Sequence, residues 1–409
     1  IQVVGQPMSG VESVAIGIVL GAGARDEENT KSGLSHFTEQ MLFRGTDHLS
    51  ARELSDRFDR LGIDYDSSAG VEMTLLSAVL VGNRLAEAID LLADVVRFAS
   101  FPEDAMDNVR ALITQEIRQR EDKPGQKVMD LLRQKFFAGS PLARDVLGSE
   151  ESIGSIQRSD LVAYWRDRYT ANNIVISVAG NFVWEPVLAQ LRTITAGWPQ
   201  GSGRMIMDQP ATNSGFSAGH RESSQENIGF AFPGVRAGDK YFYAAGLLSQ
   251  AFGGGSNSRL FREVREKRGL AYAVGSRFDG LEKAGIFRIL VGTSGDRAHE
   301  SVAVIMDELR KIEQEGITEE ELRLSKTRLK SQMVMRSEST SARMAANLRS
   351  WWFEQRVYGL REVSDLIDSV TLGEIRSLIE GLGITKNLAA VAVGPRSEEE
   401  LFGAILTRS

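Results

Sequence analysis

Two short apolar runs, NIVISVAG at residues 173–180 and NLAAVAVG at residues 387–394, decide how this chain of 409 residues is expected to fold. Each run begins with Asn, ends with Gly and consists mainly of Val, Ile, Leu and Ala, which is typical of a buried β-strand. The second run lies 214 residues after the first. A strand that recurs at this distance predicts that one fold occurs twice along the chain.

Two amphipathic helices repeat at the same distance. Both carry apolar residues at positions i, i+1, i+4 and i+7, which line one helical face. These residues are Leu91, Leu92, Val95 and Phe98 in the first helix and Ile305, Met306, Leu309 and Ile312 in the second. Another helix is expected to start near residues 103 and 319, where acidic side chains suit the helix dipole. The sequence therefore predicts an α+β fold with two homologous domains, each a mostly antiparallel sheet packed against long helices.

The boundary between the two domains is indicated by composition. The stretch GWPQGSG at residues 197–203 is followed by Pro210 and by Ser, Asn and Gly residues up to Gly215, which is typical of a linker. We therefore expect a first domain at residues 1–196, a linker at residues 197–215 and a second domain at residues 216–409.

The overall composition excludes several classes of protein. Hydrophobic residues make up 42% and charged residues 25% of the chain, which is typical of globular proteins and not of disordered ones. Charges interrupt the longest apolar stretches, so no membrane span is expected. The net charge of −7 argues against a nucleic-acid partner. The chain has no Cys, which excludes disulfides, thiolate nucleophiles and Cys-based metal sites.

The stretch GLSHFTEQMLF at residues 33–43 has helical spacing and carries a partial metal-binding motif. His36 and Gln40 are four residues apart and project from the same side of a helix, next to Glu39. With His at position 40 the motif would be His-x-x-Glu-His, in which two imidazoles bind zinc and the Glu acts as a general base. An amide oxygen is a weak zinc donor compared with imidazole, so the site is expected to be degenerate.

The chain resembles the pitrilysin/insulinase-type zinc peptidases, in particular the mitochondrial-processing-peptidase-like branch. The resemblance extends over nearly the whole chain. It is carried by GLSHFTE (33–39), MLFRGT (41–46), QEI (115–117), SRLF (258–261) and VREKRGLAY (264–272). So many segments in the right order make a chance similarity untenable.

The resemblance implies roles for further residues. It makes Glu116 the third zinc ligand of the family's site, and it places Val109 where the family has an acidic residue. It also assigns Arg265 and Tyr272 to a pair that reaches from a second domain into a zinc site on a first domain. An Arg and a phenol can stabilise the oxyanion of peptide hydrolysis. The residue pattern by itself also allows a solvated charged helix around Arg265 and an ordinary strand residue at Tyr272.

The zinc motif of the first half is incomplete at Gln40, whereas the Arg265 and Tyr272 pair of the second half is present. This difference leads to a functional hypothesis. In the resembled family, two-domain chains pair so that the first domain of one faces the second domain of the other. We therefore predict a non-catalytic subunit, inactive alone, of a heterodimeric bacterial-type zinc endopeptidase that cleaves short or unfolded peptides. No metal or other cofactor is expected in this chain, and His36, Glu39, Gln40 and Glu116 would be a remnant. A homologous partner with an intact His-x-x-Glu-His motif would supply the zinc and the general base.

Three alternatives stay open. The first is a self-sufficient homodimeric zinc peptidase with Gln40 as a ligand, the second a structural core-type subunit, and the third a peptide-binding module without catalysis. The expected compartment is the cytoplasm, with the periplasm as the alternative. Residues 11–20 alternate like a strand instead of forming the apolar part of a signal peptide.

Three other segments have predicted structural roles. Relatives in the resembled family bind peptides on a sheet edge, which corresponds here to residues 62–71, where Tyr65 and Asp66 would alter that edge. The aromatic segment at residues 349–356 is expected to be a packed helix. The Gly-rich segment at residues 253–258 lacks the spacing of a phosphate-binding loop and is expected to be a flexible turn.

Overall fold

The computed structural model describes residues 1–204 and 207–406, and only the backbone for residues 404–406. Positions 205 and 206 of the predicted linker and positions 407–409 of the predicted second domain lie outside the described residues. None of the helices in the described ranges is long and apolar enough to cross a membrane.

Ten strands and fifteen α-helices lie within the described ranges, and the first thirteen of these elements come before residue 196. They are β1 (Gln2–Pro7), β2 (Ser13–Leu20), α1 (Leu34–Leu42), α2 (Ala51–Leu61), β3 (Asp64–Ala69), β4 (Thr74–Val81), α3 (Leu85–Arg97), α4 (Glu103–Glu121), α5 (Pro124–Phe136), α6 (Glu150–Ser155), α7 (Arg158–Arg168), β5 (Ile174–Gly180) and α8 (Trp184–Thr195), with short 3-10 turns at Ala24–Asp26, Asn29–Lys31, Gly82–Arg84, Pro141–Ala143 and Ala171–Asn173.

The remaining elements begin at residue 215, the last position of the predicted linker. They are β6 (Gly215–His220), β7 (Gln225–Gly234), α9 (Phe242–Gly253), a π-helix (Phe261–Glu266), β8 (Ala271–Gly280), β9 (Gly285–Ser294), α10 (Ala298–Glu315), α11 (Glu319–Ser337), α12 (Thr340–Glu354), α13 (Leu360–Ser369), α14 (Leu372–Leu382), β10 (Ala389–Gly394) and α15 (Glu398–Leu406).

The strands form two five-stranded sheets of the same topology. The first sheet has the order β1-β5-β2-β4-β3 and the second the order β6-β10-β7-β9-β8. In each sheet one outer pair is parallel, β1 with β5 and β6 with β10, and every other pair is antiparallel. The predicted repeat is confirmed, because the runs at 173–180 and 387–394 form β5 and β10, which hold equivalent places in the two sheets.

The chain divides into two compact units that are not contiguous in sequence. Unit 1 contains Ile1–Gln119, Arg144–Ile206 and Met335–Tyr358, and unit 2 contains Arg120–Ala143, Met207–Val334 and Gly359–Ser409. These units differ from a simple division at residues 197–215 in two places. Helix α5 belongs to unit 2 although it lies early in the chain, and helix α12 belongs to unit 1 although it lies late.

Helix α12 covers one face of the first sheet. Met344, Leu348 and Trp352 pack against the odd-numbered residues of β2, while the even-numbered residues of the strand face the main core of unit 1. Burying one such side chain stabilises a fold by about 1.5–3 kcal/mol. The strand predicted within residues 11–20 is confirmed as β2, and its residues Val14 to Leu20 are buried on both faces. The prediction of a packed helix at residues 349–356 is confirmed up to Glu354, where α12 ends.

Helix α5 covers the second sheet in the same way. Val128, Leu132 and Phe136 are fully buried, and the helix packs on β7, β9 and β10. A methyl group at Gly229 of β7 would lie 2.8 Å from Cγ1 of Val128. The missing side chain at this position lets the helix approach the strand closely.

A buried carboxyl group lies where β7 meets the segment that follows β10. Glu226 is fully buried, and its Oε2 accepts a hydrogen bond from the backbone N–H of Arg396 at 3.0 Å. Its Oε1 has no hydrogen-bond partner among the described residues. Burial raises the pKa of Glu226 to about 7, against the opposing effect of Arg396.

The pH dependence of unfolding is expected to report on Glu226. The folded state binds its proton more tightly than the unfolded state does, so the free energy of unfolding should fall as the pH rises from about 4.5 to about 7. We expect Glu226→Gln to remove this part of the slope and to be more stable than the wild type at pH 8 by about 1–3 kcal/mol. Urea unfolding of both proteins between pH 5 and pH 8 measures the difference, with the exposed Glu222→Gln as control. Parallel pH profiles would contradict the expectation.

Candidate functional site

Helix α1, which carries the partial zinc motif, is fixed at its first turn by the buried carboxyl group of Glu27. Glu27 accepts hydrogen bonds from the backbone N–H groups of Gly33 at 2.9 Å and Ser35 at 2.7 Å. These groups lie at the helix N-terminus, where negative charge is favoured. Burial nevertheless raises the pKa of Glu27 to about 8, because the two hydrogen bonds offset the lost solvation only in part.

The residue before α1 has to be glycine. Gly33 has a φ of 89°, in the left-handed region that residues with a side chain rarely adopt. A methyl group at this position would also lie 2.6 Å from the carbonyl oxygen of Leu147 and 2.6 Å from Cδ1 of Ile153. The direction in which α1 enters the site therefore depends on this one position.

His36 of α1 lies between two carboxylates. Its Nε2 is 2.8 Å from Oε2 of Glu116 on α4, and its Nδ1 is 3.3 Å from Oε2 of Glu39. Burial on its own would lower the pKa of His36. The hydrogen bonds with Glu116 and Glu39 outweigh it and raise the pKa to about 9. In this arrangement both ring nitrogens of His36 face carboxylate oxygens.

Both oxygens of Glu39 are engaged. The hydroxyl of Ser67 on β3 donates to Oε1, and Nε2 of Gln40 donates to Oε2 at 3.1 Å. The Glu39 side chain is almost completely buried. The residue that the motif would use as a general base is therefore held by a strand hydroxyl on one side and by the neighbouring amide on the other.

The residues present do not fit a zinc ion. A His-x-x-Glu-His site needs two neutral imidazoles and a carboxylate that converge on one point. Here one imidazole is paired with carboxylates, and Gln40 directs its amide nitrogen at Glu39. Val109 is fully buried in the apolar core of unit 1. Across residues 1–204 and 207–406 no group of three or more His, Asp or Glu side chains is placed to hold a metal ion.

Strand β3 lies at the edge of the first sheet, as the sequence predicted for residues 62–71. It pairs with β4 alone among the described strands. Tyr65 is 40% exposed, and its ring stacks on Phe43 and Phe58 with centroid distances of 5.0 and 4.3 Å. Asp64 and Asp66 on either side of it are exposed. This edge therefore presents an aromatic ring between two carboxylates.

In unit 2, Arg265 projects from a short π-helix. The hydrogen bond from the N–H of Lys267 to the carbonyl of Arg262, at 2.9 Å, has the i to i+5 spacing of this helix type. Cζ of Arg265 lies 5.1 Å from the centre of the Phe261 ring, and the side chain is exposed. The aromatic face of Phe261 fixes the orientation of the Arg265 guanidinium group, while its N–H groups remain available to hydrogen-bond acceptors.

Tyr272 lies at an irregularity of the edge strand β8. Ala271 pairs with Thr293 and Ala273 with Gly292, so Tyr272 is the extra residue of a β-bulge. The side chain is 50% exposed, and its hydroxyl donates to Oε1 of Gln225 at 3.2 Å. The bulge therefore turns a phenol out of the regular pattern of the strand and leaves it accessible.

The structure brings one predicted group together and places the other in a different unit. His36, Glu39, Gln40 and Glu116 form one cluster in unit 1, and Arg265 and Tyr272 lie in adjacent elements of unit 2. The sequence analysis missed Glu27, Ser67 and Gln225. Gln225 lies 47 residues from Tyr272 along the chain, and a single Glu before a helix or a single Ser in a strand carries no signal of its own.

Comparison with known proteins identifies the class to which this fold and these motifs belong. Residues 3–150 match the family model described as "Insulinase (Peptidase family M16)", and residues 155–329 match the one described as "Peptidase M16 inactive domain". The "Uncharacterized zinc protease YmxG" of Bacillus subtilis is 30% identical over 94% of this chain and 94% of its own length. The "Uncharacterized zinc protease SCO5738" of Streptomyces coelicolor is 29% identical over 98% of this chain and 89% of its own length. The chain belongs to the insulinase-type M16 peptidase family, which confirms the resemblance.

Solved structures share the fold. The structure from Pseudomonas fluorescens described as a peptidase M16 inactive domain has a TM-score of 0.88 and 23% identity, over 96% of this chain and 95% of that one. A protease from Helicobacter pylori has a TM-score of 0.88 and 19% identity, over 96% of both chains. The predicted fold of two homologous α+β domains is therefore confirmed.

The position of α1 leads to a prediction for Gly33→Ala. The left-handed backbone costs about 1–2 kcal/mol with a side chain, and the contact with the carbonyl of Leu147 adds to this cost. We expect the free energy of unfolding to fall by about 2–4 kcal/mol, measured by urea unfolding followed by circular dichroism.

Gly154→Ala is the matched control for this substitution. A methyl group there meets no atom within 4 Å, and Gly154 is the next-to-last residue of α6, where Ala is the better helix former. This variant should be as stable as the wild type or slightly more so. An equal loss of stability in both variants would show that the entry of α1 does not depend on Gly33.

Proposed function

We propose that this chain is the non-catalytic subunit of a heterodimeric M16-type zinc endopeptidase and that it contributes Arg265 and Tyr272 to the active site of its partner. The observation that carries the proposal is the difference between the two units. In unit 1 the second imidazole of the zinc motif is replaced by Gln40. In unit 2 an Arg and a Tyr of the family pattern are both exposed.

The proposal places the metal in the partner. The His36 imidazole is engaged by two carboxylates, and Glu39 is engaged by Ser67 and Gln40. A zinc ion would have to break these contacts and would gain one imidazole, one carboxylate and a neutral amide oxygen in return. Loss of one strong ligand weakens zinc binding greatly, since loss of an outer-shell partner alone costs about 10–100-fold. A homologous chain with an intact His-x-x-Glu-His motif would supply the zinc and the general base.

Arg265 and Tyr272 would act on the oxygen of the scissile peptide bond. Arg265 offers several N–H donors in a rigid plane, and the phenol of Tyr272 offers one O–H donor. Negative charge develops on the carbonyl oxygen during hydrolysis, and donors already in place stabilise it. The substrates would be short or unfolded peptides, which supply an accessible backbone. The zinc-protease names of the relatives support hydrolysis as the reaction of the complex.

The zinc content of the chain purified alone is the first test. We expect well below one zinc per chain by elemental mass spectrometry after dialysis against zinc. Gln40→His completes the His-x-x-Glu-His motif and should raise the content to about one per chain. Gln126→His adds an exposed imidazole on α5 and serves as control. A wild-type content near one that is lost in His36→Ala would favour the homodimeric alternative with Gln40 as ligand.

The contribution of unit 2 is tested in the complex co-purified with a zinc-bearing homologous chain from the same genome. We expect Arg265→Ala and Tyr272→Phe each to lower kcat/KM on an unfolded peptide by about 10²–10³-fold, because each removes one donor to the developing oxyanion. The partner should keep its zinc in both variants, since neither residue would be a ligand.

Arg262→Ala and Tyr241→Phe are the matched controls for this experiment. Arg262 lies in the same π-helix with 47% of its side chain exposed, and Tyr241 precedes α9. Both variants should keep full activity. Unchanged activity in Arg265→Ala and Tyr272→Phe would favour a structural core-type role for the chain.

A further inference from the structure

The ring of Tyr272, on β8, extends across the neighbouring strand β9 toward β7. A methyl group at Gly292 of β9 would lie 2.4 Å from Cζ of Tyr272 and 2.5 Å from its hydroxyl oxygen. The ring can lie there only because Gly292 has no side chain. β8 pairs with β9, and β9 pairs with β7, so the hydroxyl arrives above the strand that begins with Gln225.

Gln225 is placed to receive this hydroxyl. Gly292 pairs with Asn227 in the register of β7 and β9. Gln225 lies two residues before Asn227, so its side chain leaves the same face of the sheet as the ring of Tyr272. Its backbone N–H is bound by the hydroxyl of Ser223 at 3.0 Å, which holds the start of the strand.

The hydrogen bond between the two side chains is long. The hydroxyl of Tyr272 donates to Oε1 of Gln225 at 3.2 Å, whereas bonds between hydroxyl and carbonyl groups are usually 2.5–3.0 Å. The contact therefore sets the position of the phenol oxygen but binds its hydrogen weakly. A rotation about the bond between Cζ and the oxygen would turn the hydrogen toward a substrate without moving the ring.

We propose that Gln225 is a positioning residue that holds the phenol of Tyr272 for donation to the substrate carbonyl oxygen. Gly292 provides the surface on which the ring rests, and Gln225 provides the acceptor that stops its movement along that surface. The role rests on the proposed function of Tyr272 in the partner's active site. It belongs to this chain, because the ring, the glycine and the amide all lie in unit 2.

The kinetic test uses the complex with the zinc-bearing partner. Gln225→Ala should lower kcat by about 3–10-fold, the range of one modest hydrogen bond, and leave KM within about twofold. Gln225→Glu keeps an acceptor oxygen at the same reach and should recover most of the loss. In a Tyr272→Phe background, Gln225→Ala should have no further effect, because Gln225 would act only through the phenol. Gln209→Ala, an exposed amide in the linker, is the control.

A second measurement observes the contact in the isolated chain. With ring-labelled tyrosine, the Cζ resonance of Tyr272 is assigned by its loss in Tyr272→Phe. It should move in Gln225→Ala, move less in Gln225→Glu and stay in place in Gln209→Ala. Gly292→Ala should move it as well, because the added methyl group displaces the ring.

Specific outcomes would overturn the inference. An unmoved Tyr272 resonance in Gln225→Ala would show that the contact is absent. An equal loss of kcat in the wild-type and Tyr272→Phe backgrounds would show that Gln225 acts independently of the phenol. If Tyr272→Phe itself has no effect on activity, the proposed function fails, while the resonance still decides whether Gln225 holds the phenol.

Discussion

Each sheet of this protein has two apolar faces, and both faces have to be buried. In unit 1 the odd-numbered residues of β2 meet Met344, Leu348 and Trp352 of α12, while the even-numbered residues meet the main core. In unit 2 the corresponding cover is α5, with Val128 and Leu132 against Gly229. The helix that covers the second face of each sheet comes from a segment distant in sequence. The two units therefore cannot be separated by dividing the chain at a single position.

The residues of the partial zinc motif take part in contacts that join three elements of unit 1. An imidazole between two carboxylates can hydrogen-bond to both of them through its two ring nitrogens. His36 thereby links α1 to Glu116 on α4, and Glu39 links the same helix to Ser67 on β3. Helix α1 is thereby connected to α4 on one side and to β3 on the other.

The two halves of the repeat have diverged at the same place in their topology. Tyr65 and Tyr272 both lie near the start of an edge strand that follows a helix. Tyr65 stacks on Phe43 and Phe58 and covers part of the core, while Tyr272 leaves its strand through a bulge and rests on a glycine. The same residue type therefore packs in one unit and presents an accessible donor in the other.

The sequence by itself determined the repeat, the strands β5 and β10, the long helices and the residues of the partial zinc motif. These features follow from local periodicity and from spacing within one helix, which a linear sequence records. The tertiary structure alone decided that β2 is buried on both faces, that Ser67 and Gln40 engage Glu39, and that Gln225 meets Tyr272. These features depend on strand register and on helices supplied by distant segments, and no local pattern in the sequence encodes which segments meet.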